Sequence, residues 1–122
     1  MRKSIIVKNK VSIAVLNGDK VVISDLQSAL DLLGILFFDD NCSRVVLNKS
    51  AITPDFFDLK TQLAGEILQK FGAFAMRLAI VGDFSEYTSE SFRAFVYECN
   101  HGNHVFFVAT EDEAVTRLSE VL

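Results

Sequence analysis

Residues 76–83 read MRLAIVGD. A short run that is apolar at every position from Leu78 to Val81 and closes on glycine and aspartate is the pattern of a strand buried on both faces. Two similar runs flank it in the chain, RVVLN at 44–48 and HVFFVA at 104–109. What separates them is helical in pattern. TPDFFDLKTQLAGEILQKF, Thr53 to Phe71, reads as one helix opened by Thr53 as N-cap and Pro54 at the first helical position. Ser89 to Asn100 reads as another, with Phe92, Phe95, Val96 and Cys99 on one face and Gly102 just past its end. Strands joined by helices of this length are parallel and connected by crossovers, so residues 44–109 predict a parallel sheet covered by helices.

Working outward adds both ends. VSIAVL (11–16) and KVVIS (20–24) are β-branched runs separated by Asn17-Gly18-Asp19, and Asn-Gly takes the positive φ angles of a tight hairpin turn. Ser24 with Gln27 predicts a capping box for a helix from Asp25 to Phe38, with Leu26, Ala29, Leu30, Leu33 and Phe37 facing inward. Thr110 with Glu113 predicts the cap of a final helix carrying Ala114, Val115, Leu118 and Val121. The expected order is β-β-α-β-α-β-α-β-α, an α/β fold with an N-terminal β-hairpin and a mixed, mostly parallel sheet. Residues 1–122 read as a single domain, with 1–10 as a loosely attached N-terminal segment.

Composition bounds the function. Half of the 122 residues are hydrophobic, 23% are charged and one is proline, the balance of a folded domain. A net charge of −4 and the lack of a basic run argue against nucleic acid as partner. The positively charged start MRKSIIVKNK resembles a signal peptide, but Lys8, Asn9 and Lys10 cut its apolar segment short. No stretch approaches the roughly eighteen apolar residues of a membrane span. Cys42 and Cys99 are too few for a disulfide framework and read as reduced thiols, so the expected location is the cytoplasm.

The segments FFDLKTQLAGEILQKF, LAIVGDFSEYTS, FVYECN and FFVATEDEAVTRL resemble a bacterial family known only as domain of unknown function 4180, over nearly everything from Val11 onward. In element order, and in the ending FFVATEDEAVTRL, the chain also resembles the STAS-like domains of anti-sigma-factor antagonists. The acidic charge, compact size and missing catalytic motif point to a non-enzymatic regulatory or interaction role through protein contacts. The resemblance to STAS-like domains implies a phosphorylatable serine at the start of the helix after the third strand, in an Asp-Ser-Ser-Gly-like turn. Here the segment is NKSAITPDFF, whose nearest hydroxyls are Ser50 and Thr53, and capping alone accounts for Thr53.

On a continuous helix from Thr53, Lys60 falls inside the apolar arc of Phe56, Phe57, Leu63, Ala64, Ile67, Leu68 and Phe71. Its side chain leans toward the helix N-terminus, hence toward the carboxyl ends of the strands, where open α/β sheets bind ligands. Asn48, Ser50, Asp83 and Ser85 meet at that rim. Lys60 is then either a core-edge lysine that packs its stem and pairs with Asp83, or the cation of a small-anion site shared with the helix start at Thr53. Gly65, in the middle of this helix, suggests close approach by a neighbouring backbone. Ile35 and Phe38 project from the polar face of the first helix as candidates for a protein partner or homodimer contact. Cys99, His101 and His104 lack a fourth ligand, so neither a metal nor another cofactor is expected. Asp39 and Asp40 read as helix-ending polar residues, and no catalytic motif appears. The expected function is a regulatory or protein-interaction domain, with an anion-binding protein or enzyme using Lys60 and Asp83 as the alternative.

Overall fold

The computed structural model describes residues 2–18 and 20–121. Five strands form one sheet in sequential order: β1 (Arg2–Lys8), β2 (Val11–Asn17), β3 (Arg44–Asn48), β4 (Arg77–Val81) and β5 (Val105–Val108). β1 pairs antiparallel with β2, and the other three junctions are parallel. Four α-helices accompany them: α1 (Leu26–Gly34), α2 (Leu63–Ala73), α3 (Glu90–His101) and α4 (Glu111–Glu120). The expected element order and mixed, mostly parallel sheet are both present.

Alternation along each strand assigns the layers. Leu16, Val45, Leu47, Leu78, Ile80 and Phe107 point to one face, where they pack with Ala29, Leu32 and Leu33 of α1, Ala64, Ile67 and Phe71 of α2, and Phe92 of α3. Ile13, Val15, Val46, Ala79, Phe106 and Val108 point to the other, against Ala114, Val115 and Leu118 of α4. Three crossover helices therefore share one face and α4 alone covers the other, so the central strands read as continuous apolar runs. The outer side of β5 is covered locally by Asn100, whose amide donates to the Phe107 carbonyl (3.2 Å) and accepts from its N–H (2.8 Å) as a neighbouring strand would. Two arginines tie α4 to the sheet: Arg117 lies 4.2 Å from the Phe106 ring centroid, and Arg44 donates to the carbonyl of Val121, the residue that ends the helix, at 2.6 Å.

The hairpin lies one strand earlier than expected. Its two-residue turn is Asn9-Lys10, with φ angles of 53° and 67°, a primed-type turn that matches strand twist. Asn17-Gly18 instead ends β2, and Asp19 lies outside the described residues. Lys20–Ser24 is not a strand of the sheet; Ile23 makes one isolated parallel bridge to Ile52 and is fully buried there.

Two helices also depart from expectation. α1 is capped by Asp25 and not Ser24: the Asp25 carboxylate accepts from Ser28 N–H (2.8 Å) while the Ser28 hydroxyl accepts from Asp25 N–H (3.1 Å). After Gly34 the helix widens into a π-turn, Ile35–Asp39, in which Asp40 N–H donates to the Ile35 carbonyl. Leu36 continues the buried stripe of Ala29, Leu32 and Leu33 at the spacing i, i+3, i+4, i+7, and Phe37, expected to face inward, lies at the edge of that stripe with Leu26 and Leu30 and is exposed.

The single helix from Thr53 is in fact two 3₁₀ turns, Pro54–Phe57 and Leu59–Thr61, followed by α2. Local side-chain bonds outcompete the helix. The Asp58 carboxylate accepts from Lys60 N–H at 3.1 Å, the Thr61 hydroxyl donates to the Asp55 or Asp58 carbonyl (2.7 and 2.8 Å), and Gln62 takes the left-handed conformation, φ 63°. Thr53 makes no side-chain cap bond. Around Gly65 nothing lies within 4 Å of where a Cβ would sit, so no backbone approaches it. No helix among the described residues is long and apolar enough to cross a membrane.

Candidate functional site

Parallel register sets the site at the carboxyl ends of β3, β4 and β5. Asn48 pairs with Val81, which puts the next residues, Lys49 and Gly82, beside each other where the two strands leave the sheet. A Cβ on Gly82 would fall 2.7 Å from the Lys49 Cβ and 3.1 Å from its Cδ. Glycine here is what lets the lysine stem cross the end of β4. The Lys49 Nζ then donates to the Asp83 carbonyl at 2.9 Å and forms an ion pair with Glu86. It stands 4.9 Å from the Tyr87 ring centroid and 5.8 Å from that of Phe84, within cation–π range of both. The hydrogen bond to Glu86 raises the Lys49 pKa above the usual lysine value against a smaller opposing effect of burial, so its ammonium stays charged at neutral pH.

Tyr87 joins this lysine to an aromatic floor. Its ring stacks on Phe57 (5.5 Å, 27°) and meets Phe92 at 4.9 Å. Between the 3₁₀ turns and the start of α3 lies an open groove of about 630 Å³, with Phe57, Leu59, Tyr87 and Phe92 as apolar lining and Asp58, Lys60 and Glu86 as charges. Ser89, which caps α3 by accepting from Phe92 N–H (3.1 Å), closes one side. The size suits a ligand side chain or short segment, and the breaks that ended the expected helix at Asp58 and Gln62 are what open it.

The sequence-derived candidates distribute unevenly around this groove. Lys60 is exposed on the second 3₁₀ turn; it lines the groove but does not sit in an apolar arc, and it forms no ion pair with Asp83 among the described residues. Asp83 is exposed in the loop after β4, and its carboxylate accepts from Ser85 N–H at 2.9 Å, a bond that lowers its pKa. Ser85 and Ser50 are exposed, while Asn48 and Thr53 are half-buried next to the rim. The lysine that reaches Asp83 is Lys49, through the backbone carbonyl. Composition and periodicity give no signal for Lys49, Gly82, Glu86 and Tyr87; the signal is the strand register, which sets a glycine beside a lysine at adjacent strand ends.

Among the described residues no three His, Cys, Asp or Glu side chains cluster as metal ligands would. His101 packs on Tyr97 at 4.0 Å at the end of α3 remote from the groove. Both cysteines are free thiols; burial pushes Cys42 upward and Cys99 to about 11, which leaves little thiolate at neutral pH.

The family described as Domain of unknown function (DUF4180) matches residues 8–118. The chain belongs to this family. No curated protein and no solved structure matches it. The DUF4180 match runs from the last residue of β1 into α4 and contains every residue that builds the groove. Its description carries no activity, so any functional reading rests on the groove itself.

Proposed function

We propose that this domain is a non-enzymatic regulatory or protein-interaction module of the bacterial cytoplasm, STAS-like in topology, that holds a segment of a partner protein in the groove between the 3₁₀ turns and α3. The observation that supports this reading is the groove's composition: an open trough floored by Phe57, Tyr87 and Phe92, with Asp58 and Glu86 at its edge. An aromatic floor rewards insertion of an apolar side chain, while Asp58 and Lys60 at the edge offer charges of both signs to polar groups beside it. The small-anion alternative receives less support. Lys49 is already neutralised by Glu86, and Lys60 and Asp83 do not form an ion pair.

Ser91 is exposed and lines the groove from α3, so Ser91→Trp should plug the trough without touching the core. The expected result is an unchanged thermal melt together with loss of the proteins that the wild-type domain captures from native lysate. Native mass spectrometry of the same captures tests the alternative. A stoichiometric anion that disappears in Lys60→Met, with no protein lost in Ser91→Trp, would replace partner binding by metabolite binding.

A further inference from the structure

A second surface lies at the opposite end of the sheet, where α1 and α2 finish shortly before β3 and β4 begin. α1 packs against α2 there. Phe38 is 73% exposed, and Ile35, Phe37 and Phe74 are each 40% exposed or more. Phe37 ties the three rings together edge-to-face, at 5.0 Å from Phe38 and 5.4 Å from Phe74. Beside the Phe38 ring is a hole of about 230 Å³ lined by Leu30, Leu33, Gly34, Phe38 and Phe74, with no charged side chain. Nothing lies within 4 Å of where a Gly34 Cβ would be, so the missing side chain helps keep the hole open.

We infer that this face is a two-fold interface between copies of the chain, in which Phe38 of each copy enters the hole beside Gly34 of the other. A projecting ring and an apolar hole on the same small face are what an isologous contact requires, since each residue must meet on the partner the surface that its own copy offers. The sizes agree: an apolar cavity of about 150 Å³ already holds a benzene ring, and this one is larger. Area agrees as well. At the roughly 150–250 Å² that an aromatic side chain can bury, the four exposed side chains offer on the order of 400 Å². That is about the apolar core of an interface that buries roughly 800 Å² per partner. Charge also permits it. Asp31 lies one turn before Ile35 and Lys70 one turn before Phe74, so a two-fold axis through the patch can set opposite charges across its rim. The groove at the other end of the sheet stays free, and this inference does not depend on the function proposed for it.

Analytical ultracentrifugation of the full chain over a concentration series tests the contact, with thermal melts to establish that each variant folds. Wild type should dimerise reversibly, and Phe38→Ala should weaken self-association at least about 30-fold, the loss expected for a hot-spot anchor. Gly34→Leu, which fills the hole, should do the same. Mixed together, the two variants should recover part of the association, because the Phe38 that Gly34→Leu retains can enter the hole of Phe38→Ala, which keeps Leu30, Leu33, Gly34 and Phe74 as walls. Phe38→Ala alone decides whether the face is the interface, and the mixture decides the knob-and-hole fit. A wild-type chain that stays monomeric throughout, a dimer indifferent to Phe38→Ala, or folded variants that remain monomeric when mixed would each overturn the inference.

Discussion

Two lysines eleven residues apart show how much a reading at the residue scale depends on the backbone assumed for it. Lys60 reads as a core-edge cation only on a helix continuous through Asp58 and Gln62; those residues break it, and the lysine is exposed. Lys49 looked like an ordinary residue following a strand, yet it makes the ion pair and the aromatic contacts of the rim. The difference comes from Gly82, whose hydrogen in place of a Cβ is the space that the Lys49 stem occupies. Gly82→Ala should therefore destabilise the domain by about 1–3 kcal/mol, the usual cost of forcing a methyl group into filled space. Introduced into Lys49→Gly, where the opposing Cβ is gone, the same change should cost much less. A double-mutant cycle from urea unfolding measures this coupling. Equal costs in the two backgrounds would mean that the lysine simply moves aside. This pairing was legible in principle, because RVVLN and MRLAIVGD are recognisable strands, but their relative register is a tertiary fact that neither run contains.

At the scale of elements, propensity and pattern located every α-helix and most of the sheet, and missed where local hydrogen bonds compete with the helix. The start of α3 beside Ser89 and the cap of α4 at Thr110 are where the sequence puts them. For α1 the choice between Ser24 and Asp25 turned on a shift of one residue, since both can accept a bond three positions on. The π-turn at Ile35–Asp39 has no marker in the sequence, and the buried stripe that runs into it is centred on Leu32 and Leu36, one position away from the one the pattern suggests, which leaves Phe37 at its edge. Gly65 is a second ambiguity, because a helical glycine reads the same whether it admits a close neighbour or merely faces solvent. The structure shows open space around it, on the exposed side of α2. Gly65→Ala should thus gain about 1 kcal/mol from helix propensity and a less flexible unfolded chain. Urea denaturation with an unchanged m-value is the measurement, and a loss of stability would reveal a contact at this face.

For the molecule as a whole, the sequential strand order divides the sheet into a firm part and a marginal edge. β3 and β4 are paired on both sides and covered above and below, and their inward residues are almost wholly buried. β1 has only β2 beside it. Six of its seven residues are exposed, and Ile6 alone is partly buried, against the α4-side core. Its polar side-chain ties among the described residues, an ion pair from Lys3 to Asp40 and a 3.5 Å contact from Lys8 to the Thr116 hydroxyl, are surface interactions of the kind worth about 1 kcal/mol or less. The sequence hid this strand because RKSIIVK begins with charges and buries almost nothing, so no apolar period marks it. The same scarcity of burial implies that β1 opens without the rest. In native-state hydrogen exchange its amides bonded to β2 should exchange at least about 100-fold faster than those of β3 and β4, a gap well inside the range that separates local from global opening. Protection in β1 equal to that of β3 would show that the hairpin unfolds only with the whole sheet, and that its backbone ladder holds it with almost no buried side chains.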